Sequence, residues 1–511
     1  MLVMTLLACG ATAETARADN DIDKPTDSLP GSPRPPGLGL SPEAPPVGPA
    51  PGGRAPSFGA PTEKDEWAFR IGGRFSGWES VGIGRRPDNP PAGYKGTPLH
   101  VPARTLGRQP FWSGAGATLS LQFGNAVVSS TVLFYARFSG KERQGYFAPQ
   151  NGPSIGQAYL TVRPEPLGRL RLNFKVGAFV ENYAGPGQWG WGIYGPMLAL
   201  RGYGETTNAE YDVGPNWRLY LTHGFLGVPG VPEDYLRGEY HSWIETGIST
   251  FVHHAHVGVS FKNQYSLKLH YASAYGTDER KYLPTFLTPP SSTPSPVLSS
   301  PGADGRLDTY VLETRWMADP YGQLGVSAAY WNFKDAASVG DGIWWGIDWT
   351  QGARELVNKF LGPASRGNGA LAAVSAEYDM SVARILAHPR TFDGRSQDVR
   401  VAVAALRYWT LASRDPFYEH KAGYYAGTQL EFVALSWVRA TFQTYLENRY
   451  TAFGRWVAAS ISPGIAFSSD WLSTDRIMLA YTRNFYSDVT DNNSALRLDR
   501  DVVTLGAYIT F

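Results

Sequence analysis

His253, His254 and His256 fall within four consecutive positions. Imidazole nitrogen is both a general base near neutral pH and a ligand for late transition metals. In an extended strand successive side chains point to opposite faces, so His254 and His256 share one face and His253 takes the other. No Cys, Asp or Glu accompanies them at ligand spacing, and no metal site is therefore expected. Cys9 is the single thiol, which excludes a disulfide framework and a cysteine metal centre. The chain carries no His-Glu-x-x-His, no Gly-x-Ser-x-Gly elbow and no phosphate-binding loop, so no catalytic residue and no cofactor is assigned and an enzyme is not expected.

The elements that must position such side chains are announced by alternation. Leu170, Leu172, Phe174, Val176 and Ala178 alternate with Arg171, Asn173 and Lys175. Tyr265, Leu267, Leu269 and Tyr271 alternate with Ser266, Lys268 and His270, and Val438, Ala440, Phe442 and Leu446 alternate with Arg439, Thr441, Gln443 and Glu447. Trp67, Phe69, Ile71 and Phe75 do the same against Arg70 and Arg74. In each run one parity suits hydrocarbon and the other suits water.

The last stretch, Asp499 to Phe511, repeats the rule: Val503, Leu505, Ala507, Ile509 and Phe511 take one face, and Thr504, Gly506, Tyr508 and Thr510 the other. This stretch resembles the terminal strand of Gram-negative outer-membrane β-barrels, porins among them. The resemblance implies that Phe511, Ile509 and Leu505 act as the signal read by the barrel assembly machinery, and that the chain resides in outer-membrane lipid.

Strands are expected at about 66–78, 113–124, 127–138, 155–163, 169–180, 195–213, 216–225, 249–262, 264–275, 305–317, 321–333, 368–381, 397–411, 424–434, 437–448, 456–467, 475–487 and 498–511. Short connections (Gly124 to Ala126, Pro164 to Gly168, Gly214-Pro215, Asn263, Ala318 to Pro320) alternate with long ones (79–112, 139–154, 181–194, 226–248, 276–304, 334–367). That asymmetry fits short periplasmic turns and long external loops. The fold class expected is all-β, a closed antiparallel transmembrane β-barrel of about eighteen strands. The stretch 379–397 could be a strand end, a long turn or a further hairpin, which leaves sixteen as the alternative count. A soluble propeller or sandwich array would show a blade-length repeat, and none is visible.

Composition agrees. The chain has 511 residues, 13% aromatic content, 57 glycines and 43% hydrophobic residues, yet no run approaches the roughly 20 apolar residues of a spanning helix. A net charge of +1 argues against a nucleic-acid partner. Residues 1–18 read as a secretory signal lacking its basic start: Met1 to Leu7 are apolar, and Ala16-Arg17-Ala18 before Asp19 suits cleavage. Residues 19–62 are Pro-, Gly- and Ser-rich, too poor in apolar groups to bury a core, and are expected to be a disordered periplasmic linker. Residues 63–511 form the barrel.

With apolar parity facing lipid, the interior receives Arg70, Arg74, Arg163, Arg171, Lys175, Arg218, Lys268, His270, Arg315, Arg400 and Arg439, with Glu313, Glu431 and Glu447 as counter-charges. One such charge near the lipid midplane would cost about 2–4 kcal/mol. The expectation is a wet, moderately basic pore; the alternative for any single arginine is a cross-wall pair with a glutamate. Among the loops, Trp344, Trp345 and Trp349 precede a segment in which Leu356, Val357, Phe360 and Leu361 have helical spacing, an amphipathic element that either folds into the mouth as a constriction, the reading favoured here, or covers the barrel rim. The implied function is a porin-like channel for passive diffusion of small polar or anionic solutes. The alternatives are a polysaccharide-export barrel and a structural surface barrel with a blocked lumen. A trimer is compatible with this reading, and no interface is legible.

Overall fold

The computed structural model describes residues 67–82, 113–139, 149–184, 197–229, 248–276, 306–318, 320–334, 343–344, 368–387, 394–412, 421–451, 454–471, 473, 475–486 and 501–510. Its strands are β1 (Ala68–Gly82), β2 (Ser113–Gly124), β3 (Val128–Ser139), β4 (Pro149–Val162), β5 (Leu170–Tyr183), β6 (Leu198–Asp212), β7 (Trp217–Pro229), β8 (Ile248–Phe261), β9 (Tyr265–Gly276), β10 (Arg306–Ala318), β11 (Gly322–Lys334), β12 (Ile343–Trp344), β13 (Asn368–Ser381), β14 (Asp398–Ala412), β15 (Ala422–Val433), β16 (Val438–Thr451), β17 (Gly454–Phe467), β18 (Arg476–Tyr486) and β19 (Asp501–Thr510). Among the described residues one short helix, α1 (Val382–Leu386), lies between β13 and β14.

All strands belong to one antiparallel sheet. Setting aside the two-residue β12, each pairs with the wall strands before and after it, and β1 pairs with β19 from Arg74↔Thr510 to Gly82↔Val502. That last pairing closes the ring, so every wall strand has a paired neighbour on each side over at least part of its length. Eighteen strands therefore form the wall, and the sixteen-strand count is set aside.

The alternation acquires a direction. Leu267 and Leu269 are 46% and 50% exposed, while His270 between the same neighbours is fully buried. Ile71, Leu119, Val176, Leu221, Val257, Leu479 and Leu505 are likewise exposed on the outer face. Near the short turns aromatic side chains gather on that face: Trp67 stacks on Phe123 at 5.0 Å, Tyr265 on Trp316 at 6.3 Å and Trp437 on Phe467 at 6.1 Å. Rings with an apolar body and a polar tip favour the boundary between hydrocarbon and water.

Local chemistry makes the turns. Asn125 Oδ1 accepts from the amides of Val127 and Val128 at 3.0 and 2.8 Å, closing the β2–β3 hairpin. Lys262 and Asn263 adopt left-handed φ of 52° and 56°, and Gln264 N donates to Phe261 O at 3.0 Å within the three-residue turn that joins β8 to β9. Of the stretch 379–397, residues 379–381 end β13 and 382–386 form α1, which is capped by Ser381, whose hydroxyl accepts from Arg384 N at 3.2 Å, while Asp398 accepts from Ser381 Oγ at 2.8 Å and Ala383 N at 2.9 Å. The alternation of connection length has one exception, since only residues 452–453 separate β16 from β17, on the side where other connections are long.

Candidate functional site

One pair of strands leaves the wall. β4 pairs with β5 only as far as Ala158↔Ala178, and β7 pairs with β6 only as far as Tyr203↔Gly227. Beyond those points Phe179 to Tyr183 of β5 pair with Leu198 to Gly202 of β6 and have no wall neighbour. Glycines stand where the departure occurs: Gly177 pairs with Gly204, and Gly177 has φ +134°. A Cβ on Gly204 would lie 1.9 Å from Phe225 O, and one on Gly177 2.3 Å from Ala158 O. Only glycine permits so close a backbone approach.

The resulting tongue crosses the interior. Ala184 N donates to Glu313 Oε2 on β10 at 3.0 Å, a contact between residues 129 apart in sequence. Met197 N returns to Ala184 O at 3.0 Å. Phe179, Met197, Leu198 and Leu200 bury themselves in one cluster with Leu226, Val252, Leu307, Val311, Trp331 and Leu371, residues of the inner face of β7 to β13. That apolar arc was not anticipated: an inner face was expected to be polar throughout. Its upper part is apolar because it packs against protein. Glu181 holds the tongue's base, accepting from Lys175 Nζ at 3.2 Å and from the Tyr183 hydroxyl. The other edge of β6 receives β12, with Ile343↔Leu200 and Trp344↔Ala199.

Beneath the tongue lies a histidine cluster. His256 of β8 faces His270 of β9 across the ladder, and His254 stands two residues along β8. The three are 1%, 7% and 0% exposed for His254, His256 and His270, and their rings lie 4.8–5.9 Å apart. The Tyr183 ring covers them at 4.7, 5.7 and 4.7 Å from His254, His256 and His270. Glu313 Oε2 approaches His270 Nε2 at 3.4 Å, and Arg315 Nε binds Glu313 Oε1 at 2.8 Å. Among the described residues, both ring nitrogens of His254 and of His270, and Nδ1 of His256, have no hydrogen-bond partner. Each buried polar atom left so costs about 1–3 kcal/mol. His253 points outward, its Nε2 3.0 Å from the Tyr275 hydroxyl.

Most cations expected on the inner face are found against acids. Asp212 joins Arg171 and Arg218, the latter through Nε at 2.8 Å, and Glu210 lies 3.5 Å from Arg218. Arg400 Nε meets Asp398 at 3.2 Å. Arg439 and Glu431 are sealed from the interior at 1% and 0% exposure: Arg439 Nη1 donates to Glu431 at 3.0 Å and its Nη2 to the carbonyls of Asp470, Trp471 and Ser473 at 3.1 Å each. These two side chains pin the 468–475 turn. Arg163 donates to Ser129 Oγ at 3.3 Å. Lys268 places Nζ over the Tyr220 ring at 5.5 Å. Among the described residues neither Lys268 nor half-buried Arg70 has a carboxylate within ion-pair distance. For Arg74, Trp344 and Glu447 the described structure is strand backbone, and Trp345, Trp349, Leu356, Phe360 and Phe511 lie outside the described residues. Leu505 and Ile509 are exposed on the outer face of β19.

A ring of antiparallel strands closed on itself, apolar outside and largely polar inside, is a transmembrane β-barrel of the outer-membrane type. No family model matches the chain, and no curated protein matches it. Solved structures similar to it include OccAB1 of Acinetobacter baumannii, at 9% identity and a TM-score of 0.45 over 88% of this chain and 97% of that one. A BenF-like porin from Pseudomonas fluorescens is similar at 9% identity and 0.45 over 87% and 98%. The outer membrane channel DcaP of Acinetobacter baumannii is similar at 10% and 0.41 over 88% and 100%. The fold itself stands on the strand pairing described above.

Proposed function

We propose that the protein is a porin-like outer-membrane channel for small polar solutes, narrowed by the β5–β6 tongue. The observation that carries this reading is the departure of that tongue from the wall and its seat on Glu313. An eighteen-strand ring is wide enough to enclose water unless something fills it, and a hairpin laid across it reduces the bore without breaking the wall. A mild anion preference follows from Arg70 and Lys268, while the paired Arg171, Arg218 and Arg400 contribute shape more than field. Incorporation into planar bilayers tests the reading. Steady single-channel steps with a reversal potential displaced slightly towards chloride are expected; a cation-selective pore defeats the anion preference.

The buried apolar arc supports a second reading, a barrel whose bore is sealed at the level of the tongue. That reading predicts no current at any voltage in the wild type and open channels once the tongue is displaced.

A further inference from the structure

We propose that His254, His256 and His270 form a binding site for a divalent late transition ion, zinc or copper, set in the inner wall beneath the tongue. A pair of histidines at i and i+2 on β8 share the inner face, and β9 delivers the third directly opposite His256. The nearest ring nitrogens of the three all lie within 4.8 Å of one another. A zinc ion holding imidazole nitrogens at about 2.0–2.1 Å spaces them by roughly 3.4 Å in tetrahedral geometry, so the rings need to close by about an ångström.

The surrounding hydrogen bonds choose which nitrogens are available. Thr222 Oγ1 spends its one proton on Asn208 Oδ1 and lies 3.2 Å from His256 Nε2, so it accepts from Nε2–H and leaves Nδ1 of His256 as a lone pair. Glu313 Oε2 stands 3.4 Å from His270 Nε2 without a completed hydrogen bond; the small closure that metal binding requires would bring the Nε2 proton onto this carboxylate and leave Nδ1 as the lone pair. A carboxylate or hydroxyl behind a ligating histidine is the arrangement that orients such ligands and raises their basicity. Glu313 is itself fixed by Arg315 and by Ala184 N. His254, 1% exposed and without a partner for either nitrogen among the described residues, completes the set. Three imidazoles without thiolate suit zinc, copper and nickel, and disfavour calcium and magnesium, which prefer oxygen. Lys268 and Arg315 are the nearby cations, and Glu313 offsets them. Because Ala184 and Tyr183 of the tongue touch the same groups, the ion would sit where wall and tongue meet.

The full chain, refolded in detergent and stripped with a chelator, is titrated with cobalt as a spectroscopic stand-in for zinc. One equivalent per chain with intense tetrahedral-type visible bands is expected, displaced by zinc. Glu313→Gln should weaken binding about 10- to 100-fold, His254→Ala and His270→Ala should abolish the bands, and His253→Ala, on the outer face, should leave them unchanged. Unaltered binding in His254→Ala and His270→Ala overturns the site, as does the absence of saturable binding in the wild type. Should those variants fail to fold, X-ray absorption on the zinc-loaded wild type decides: at least three imidazole ligands support the site, and a shell of oxygens alone overturns it. Channel activity plays no part in these readouts, so they stand or fall apart from the transport reading.

Discussion

Two polar clusters are buried on the inner side of this barrel, and they are composed differently. Around Arg439 most groups answer one another: Glu431 takes one guanidinium nitrogen and three carbonyls of the 468–475 turn take another, and of these two side chains only Arg439 Nε and Glu431 Oε2 lack a hydrogen-bond partner among the described residues. Around His254 they do not, since ring nitrogens in all three histidines lack partners among the described residues although nearly all their surface is covered. Folding alone explains the first cluster. The second carries a cost that wall construction does not require, because leucine or valine would fill the same volume without it. A buried group kept at such a cost is the better place to look for function.

The contrast can be broken at its firmest point. Arg439→Ala leaves Glu431 buried without its main partner, and a loss of about 3–5 kcal/mol is expected, measured by reversible unfolding in urea from lipid vesicles. A loss under about 1 kcal/mol would show that the cluster is not the anchor its geometry describes. Next in size is the tongue, which covers the histidines and leaves Arg439 alone. Gly204→Val sets a side chain against Phe225 O, at an expected cost of about 1–3 kcal/mol; the hairpin should lift and single-channel conductance should rise. Unchanged conductance and stability would separate the tongue from the bore. The smallest loss is expected at His254→Leu, which removes two unpartnered nitrogens and supplies hydrocarbon of similar volume: in metal-free buffer its stability should match or exceed that of the wild type, and a loss as large as that of Arg439→Ala would make the two clusters alike.

Much of the wall was legible in the chain. Alternation assigned Arg171, Lys175, Arg218, Lys268, His270, Glu313, Arg315, Arg400, Glu431 and Arg439 to the face opposite the exposed leucines, and the strand count of eighteen agrees with the closed ring. Parity survives into three dimensions because a strand has no other way to place its side chains. The tongue was not legible. The strands expected over 169–180 and 195–213 cover part of it with ordinary alternation, Glu181 to Ala184 fell in the expected connection 181–194, and the hint lay in glycines 177, 202 and 204, whose close approach to neighbouring backbone appears only once β4 and β7 are in place. A constriction was expected instead from the loop 340–362, of which the described part, β12, turns out to extend the tongue's own edge.

The metal question shows the same boundary most clearly. From the sequence, His254 and His256 share a face and have no third ligand near them along the chain. His270 is fourteen residues from His256, and only the short turn at Asn263, about which the β8–β9 ladder is centred, hints that the two stand opposite each other. Glu313 and Tyr183 come from still farther away. The order of residues along the chain determined which side chains look inward and how many strands share the wall, since both follow from a period of two and from turn chemistry. Which inward residues meet was decided by ladder register and by a hairpin folding across the interior, and these depend on the whole ring closing.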